Sequence, residues 1–180
     1  LRDELLAAVQ TGATVAGLAW QESAGELDAD NGLASVDMQD GRAAMHDGRV
    51  PPQDGRVPPH DDRVPLSGQK RFVRPGTGAD GWIVSASEGD ERVLVWVEAS
   101  APGLHVADAF GVDGSATATL SFDAAPARLL ARGNAAQVAL QAANELARIA
   151  QAAELAGIAR RALELTRDYM TTRVQFGKPI

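Results

Sequence analysis

The chain has 180 residues, no cysteine and a formal net charge of −7, and hydrophobic residues make up 45% of it. That apolar share supports a packed core in one domain, or in a small domain with an appended element, while the acidic balance argues against a nucleic-acid partner, whose phosphates need a basic surface. Missing cysteines exclude disulfides, thiolate metal sites and thiol nucleophiles, and no apolar run reaches the ~18 residues of a membrane-spanning helix.

In chain order, Leu1 to Val9 have a helical pattern, with Leu5, Leu6 and Val9 on one face. A Thr-Gly turn follows, and the apolar run Thr14 to Trp20 reads as a buried strand. Residues 46–65 hold a seven-residue repeat: His46-Asp-Gly-Arg-Val-Pro-Pro52, then Gln53 to Pro59, then a shortened unit from His60 to Pro65. Paired prolines forbid a helix there and push the preceding residues to extended geometry. A solvated, polyproline-like loop inserted between two strands is expected. His46 and His60 sit beside Asp47, Asp61 and Asp62, but a loop of this kind lacks the rigid surroundings that orient metal ligands.

From Leu66 to Phe122 the pattern is β. Lys70–Val73, Trp82–Ala86, Arg92–Val97, Leu104–Val106 and Ala116–Phe122 are short β-rich runs separated by Gly, Pro and Asp clusters. Such runs predict a short-stranded antiparallel barrel or sandwich. Gly76-Thr-Gly78-Ala-Asp-Gly81 has the spacing of a dinucleotide-binding loop, but that loop must open a helix. A strand follows here, so a glycine-rich hairpin turn is the expectation.

From about Gln137 to Gln175 the period becomes helical. Leu146, Ile149, Leu163, Met170 and Val174 lie on one stripe, and Leu155, Ile158, Leu165 and Tyr169 on another. Two apolar stripes on one helix predict burial on most sides, as in a helical bundle. The fold class expected is therefore α+β, a β domain followed by one long helix belonging to a bundle. The division falls at 1–125 for the β domain, with the 46–65 repeat as an inserted loop, and 126–180 for the start of a helical domain.

The closing stretch, Ala162-Leu-Glu, Tyr169 and Arg173-Val-Gln175-Phe176-Gly177-Lys178-Pro179, resembles the helix that starts the C-terminal bundle of the acyl-CoA dehydrogenase family. Leu18-Ala-Trp20-Gln21-Glu22-Ser23 resembles that family's strand ending in a Thr-Glu-Pro turn beside the flavin. Leu66-Ser-Gly68-Gln-Lys70-Arg-Phe72-Val73 is similar to its Gly-x-Lys-x-Trp-Ile-Thr strand, and residues 79–84 and 114–123 follow the family's order. The resemblance implies FAD as cofactor, with Trp20, Gln21, Phe72 and Val73 approaching the flavin. It places Arg173, Gln175 and Phe176 on the FAD of an adjacent subunit, where the planar fork of an Arg suits phosphate. It also implies Arg148, with Glu145 before it, at the substrate-binding end. The residues alone equally allow core packing for Trp20 and Phe72, and a surface ion pair between Glu145 and Arg148.

The implied reaction is α,β-dehydrogenation of an acyl-CoA thioester, with electrons passed to an electron-transfer flavoprotein or similar acceptor. A homodimer or homotetramer and a place in fatty acid metabolism follow from the same resemblance, while a cytoplasmic location is expected because no basic region followed by an apolar core opens the sequence. No carboxylate of this chain is nominated as the catalytic base. Starting at Leu1 without Met and stopping at Ile180, the chain reads as a fragment, inactive by itself. Departures from the family pattern point to a divergent branch: Ser23-Ala-Gly-Glu-Leu27-Asp28 lacks the family's hydroxyl turn, Gln21 replaces a Thr, and Arg74 replaces a small hydroxyl residue. They keep open a non-catalytic interaction module built on the same fold, and a related flavin monooxygenase or oxidase.

Overall fold

The structure, a computed structural model, describes residues 2–26, 63–112 and 114–180. Residues 46–62 of the repeat, with His46 and His60, lie outside the described residues, as do Leu27 and Asp28. Helix α1 (Arg2–Gln10) leads into strand β1 (Ala16–Ala19), followed by β2 (Arg63–Val73), β3 (Gly81–Glu88), β4 (Glu91–Glu98), β5 (Leu104–Phe110) and β6 (Ala116–Arg132). Helix α2 (Gly133–Thr172) continues directly from β6, and the short strands β7 (Val174–Gln175) and β8 (Lys178–Pro179) close the chain. The chain divides into two compact units, Leu1–Leu140 and Gln141–Ile180. No helix among the described residues is long and apolar enough to cross a membrane.

The first unit is a mixed sheet in the order β1-β3-β4-β6-β2, with β5 also paired to β6. Two sequence expectations are corrected here. The sheet is not purely antiparallel, because β1 pairs with β3 in parallel, Ala16 opposite Gly81 through Ala19 opposite Val84. Nor are all strands short: β2 has 11 residues and β6 has 17. The long β6 carries β2 along one edge, while β5 and β4 share the other, β5 over 116–122 and β4 over 128–132. Ala124, at φ 48°, lies in the gap between those two partners. Pro126 occupies the same gap and faces Pro65 across to β2. Neither proline can donate to a ladder, so the pair fits only where no N–H is required. Arg63, Val64 and Pro65, expected in the loop, are therefore the first residues of β2. An isolated antiparallel bridge between Leu18 and Arg74 ties β1 to the end of β2.

Core formation follows the pleat. Val93, Val95 and Val97 of β4 join Ala19, Leu66, Val73, Trp82, Val84, Leu120 and Phe122 in one apolar cluster. On the opposite parity Leu94 and Trp96 are also buried, as are Ala136 and Leu140 at the start of α2. A strand buried on both faces reads as a continuous apolar run, as Val93–Val97 does. Gly76–Gly81 is a turn, closed by the Ala79 N–H on the Gly76 carbonyl at 3.2 Å, but it is not a hairpin. It joins β2 to β3, which are not neighbours in the sheet. On α1, Leu6 and Val9 stay exposed rather than forming a buried face.

The second unit is the remainder of α2 and the β7–β8 hairpin. At 40 residues the whole helix would be about 60 Å long. Both predicted stripes are exposed: Leu146, Ile149, Leu155, Ile158, Leu163, Leu165 and Tyr169 all present more than half of their surface. The helix starts earlier and ends earlier than the period suggested. It stops at Thr172, and the Arg173 N–H caps back onto the Tyr169 carbonyl at 2.9 Å. Phe176 and Gly177 then both take positive φ, 52° and 80°, as a tight two-residue hairpin of primed type requires.

Candidate functional site

In the first unit the site grows from β2. Leu66, Gly68 and Lys70 share one parity, and Lys70 points inward with its side chain wholly buried. Its ammonium donates to Glu22 Oε1 at 2.6 Å, to Ser85 Oγ at 3.2 Å and to the Trp20 carbonyl at 3.4 Å. Burial pulls the Lys70 pKa down, and the hydrogen bond and charge of Glu22 oppose that pull. The next residue, Arg71, donates its backbone N–H to the Gln21 carbonyl at 2.8 Å. Strand β2 thereby holds the segment leaving β1 by two consecutive carbonyls.

Between Lys70, opposite Leu120, and Val73, opposite Ala118, the ladder slips by one residue. Arg71 and Phe72 therefore face Thr119 as a β-bulge, a device that re-aims side chains and recurs beside functional sites. Phe72 takes φ 57° and turns its ring outward, 43% exposed. The Arg71 guanidinium lies 5.3 Å from the ring centroid. Val73, past the bulge, is buried in the core and its side chain joins the apolar cluster, so it does not present itself to a ligand beside Phe72. Arg74 donates to Ser115 Oγ at 2.9 Å.

The turn after β1 closes on itself. Glu26 accepts the Glu22 N–H at 2.8 Å and the Ser23 hydroxyl at 2.9 Å. The Glu22 backbone bond is the leading cause that holds the Glu26 carboxyl below its ordinary pKa. Gln21 donates its amide to the Ser23 carbonyl at 3.0 Å. Trp20 and Gln21 are half-buried. The structure thus brings Trp20, Gln21 and Phe72 together.

In the second unit, Arg173, Gln175, Phe176, Lys178, Pro179 and Ile180 line a concavity of about 450 Å³. The Arg173 guanidinium stands 5.5 Å from the Tyr169 ring. Phe176, at the hairpin tip, is 99% exposed. Two cations, an amide and an open aromatic face form a surface that suits an anionic, aromatic ligand. Glu145 and Arg148 are exposed on α2 and do not line this concavity.

Sequence reasoning missed the Lys70–Glu22–Ser85 cluster and the Glu26 closure. The shared parity of Lys70 with Leu66 was a usable signal for the first. The Ser23-x-x-Glu26 spacing was a usable local signal for the second. The bulge at Arg71–Phe72 left no signal, since Phe is not a residue expected at positive φ.

The chain thus runs from a mixed β unit into a long helix that ends in a cationic, aromatic hairpin. Residues 134–180 match the family described as acyl-CoA dehydrogenase, C-terminal domain. An acyl-CoA dehydrogenase of Bacillus subtilis (strain 168) is 38% identical over 127 residues, covering 64% of this chain and 33% of that protein. A solved variant of a steroid ACAD superposes with a TM-score of 0.70 at 30% identity, covering 98% of this chain and 42% of the other. A glutaryl-CoA dehydrogenase from Mycobacterium smegmatis, solved in complex with FADH2, shares the fold at a TM-score of 0.69 and 20% identity. The chain is thus similar to acyl-CoA dehydrogenases, and its last part matches their C-terminal domain. It spans about a third of the length of the curated relatives it matches.

Proposed function

We propose that this chain supplies flavin-holding surfaces of an FAD-dependent oxidoreductase acting on an acyl-CoA thioester. The observation that carries the reading is the bulge that turns Phe72 outward beside the Trp20–Gln21 segment. Strain of this kind, of order 1–3 kcal/mol per residue, persists where the surroundings enforce it and clusters at binding sites. Phe176, the other aromatic at positive φ, sits in the second candidate surface.

The residues fit the cofactor. Phe72 and Trp20 offer apolar faces for a flavin ring, the Gln21 side chain offers a polar edge, and Val73, buried behind the bulge, can act only by supporting Phe72. Arg173, with Lys178 beside it, matches a pyrophosphate, Gln175 can hydrogen-bond, and Phe176 can stack. FAD when bound supplies the two-electron acceptor. The chain's own contribution is position and electrostatics: an aromatic wall that excludes water, and guanidinium groups that favour negative charge. Arg148 and Glu145 are assigned to the substrate end of the helix. No carboxylate of this chain is assigned as the base.

We retain residues 1–125 as part of the middle β domain and 126–180 as the start of the C-terminal helical domain. The exposed stripes of α2 favour a bundle and a homodimer or homotetramer in the complete protein, and an electron-transfer flavoprotein is the expected acceptor. A cytoplasmic location is part of the same reading. A non-catalytic module is the second reading, favoured by the Glu26 carboxylate, which occupies the Glu22 N–H that a ligand could otherwise use. Purified full-length protein separates the two. Stoichiometric FAD released on heating, with a flavin absorbance bleached by an acyl-CoA, supports the oxidoreductase; no flavin after incubation with excess FAD leaves the module.

A further inference from the structure

Lys70 has no part in the chemistry proposed above, yet its burial is complete and its acceptors come from the segment after β1 and from β3. A buried ion pair is weak evidence for stability, because desolvation offsets the Coulombic gain and an apolar replacement is often neutral. The position therefore needs a reason beyond packing, and the geometry supplies one. Strand β1 ends at Ala19, and Trp20, Gln21 and Glu22 leave the ladder. Strand β2 reaches that segment through the Lys70 ammonium on the Trp20 carbonyl and Glu22 carboxylate, and through the Arg71 N–H on the Gln21 carbonyl. The same ammonium reaches Ser85 on β3, so one group anchors the segment to two strands. An apolar side chain would fill the space but could hold none of these acceptors.

We infer that Lys70 is a positioning residue, whose buried ammonium fixes the Trp20–Glu22 segment against β2 and β3 so that it stands as a wall for FAD beside Phe72. This rests on the flavin reading. Glu22 and Glu26 face the ammonium as negative charges and Arg92 as a positive one. The arrangement balances, because Glu22 is both the counter-charge and part of the segment being held.

The test uses full-length protein stripped of flavin, in wild-type, Lys70→Met and Lys70→Met/Glu22→Leu forms. Amide hydrogen exchange over residues 18–26 is measured beside FAD affinity by fluorescence titration. Both variants should exchange faster over 20–26 and bind FAD more weakly by on the order of tenfold, as loss of a charged hydrogen-bond set predicts. The double variant, free of unpaired charge, should recover the thermal midpoint but not the affinity. Ser85→Ala, which removes one acceptor, should move both readouts in the same direction by less, and serves if Lys70→Met fails to fold. Unchanged exchange over 20–26, or affinity regained together with stability in the double variant, overturns the proposal. A wild-type protein that takes up no FAD overturns the flavin reading and the purpose given to the anchor, while the exchange data still report whether Lys70 holds the segment.

Discussion

Lys70 Nζ lies 2.6 Å from Glu22 Oε1, with the Lys70 side chain fully buried and that of Glu22 21% exposed. The carboxylate is the only full negative charge within hydrogen-bonding distance of this ammonium among the described residues. Glu22→Ala should therefore strand a buried cation and cost about 3 kcal/mol in urea unfolding, the lower end of the usual range because Glu22 is partly solvated. The Lys70→Met/Glu22→Leu pair should cost less than Glu22→Ala alone. A loss under ~1 kcal/mol for Glu22→Ala, the size of a surface pair, would mean that water reaches the ammonium.

Glu26 carries a pH dependence with a definite sign. Its carboxyl is held below the ordinary value of 4.5, chiefly by the Glu22 N–H. As pH falls, the unfolded chain takes up the proton before the folded one, so the unfolded state gains. The associated stability is complete above 4.5 and is lost as pH falls through the lower folded value. Glu26→Gln should be less stable than wild type near neutrality, and the difference should vanish in acid. Thermal midpoints of the two proteins across pH 3 to 7 (roughly the window spanned by carboxylate titration) check this. A difference that persists in acid would assign it to packing rather than to charge.

Legibility from sequence followed local regularity. The strand cores at Trp82–Ala86 and Arg92–Val97 were plain, because their period and boundaries are set by residues within a few positions. The long helix was equally plain from its composition, but its end was not. Phe176-Gly177 forms a hairpin through two positive φ values, and Phe carries none of the usual Asn or Asp signal for that turn. The parallel pairing of β1 with β3 joins residues 16–19 to 81–84, and no local pattern encodes so distant a partner. The ten residues of β6 past Phe122 were missed because Asp123, Pro126 and alanines are poor strand formers, held extended by β2 and β4. Of the candidate site, Trp20, Phe72 and Phe176 were named by resemblance alone. The bulge that exposes Phe72, and the ammonium that anchors its neighbours, depend on tertiary register.

Phe72 separates strain from function. At φ 57° a phenylalanine is held in a conformation that glycine adopts freely. Phe72→Gly should thus leave stability within about 1 kcal/mol of wild type, since relief of strain offsets the partial loss of ring burial. FAD affinity should fall by on the order of tenfold if the ring stacks on the flavin, as aromatic pairs contribute about 0.5–1.5 kcal/mol beyond their buried area. Unfolding by urea and flavin titration on the same samples distinguish the two effects. Unchanged affinity would return Phe72 to an exposed hydrophobe that caps the bulge.

Arg173 tests the second surface independently of the first. Its guanidinium sits over Tyr169 at 5.5 Å and lines the concavity with Gln175, Phe176 and Lys178. The contact with Tyr169 is exposed, and such cation–π pairs contribute about 0.5–1 kcal/mol, so Arg173→Ala should shift the thermal midpoint little. Charged hydrogen bonds to a pyrophosphate are worth about 1.5–3 kcal/mol, so FAD retention in the full-length protein should weaken by roughly ten- to a hundredfold. Arg173→Lys should recover only part of that loss, because a point charge lacks the planar fork that pairs with two phosphate oxygens. Equilibrium dialysis against FAD and against riboflavin, which lacks the phosphates, completes the test. The variants should differ from wild type for FAD and match it for riboflavin. Equal retention of FAD would reduce Arg173 to a charge at the end of α2, where it complements the helix dipole.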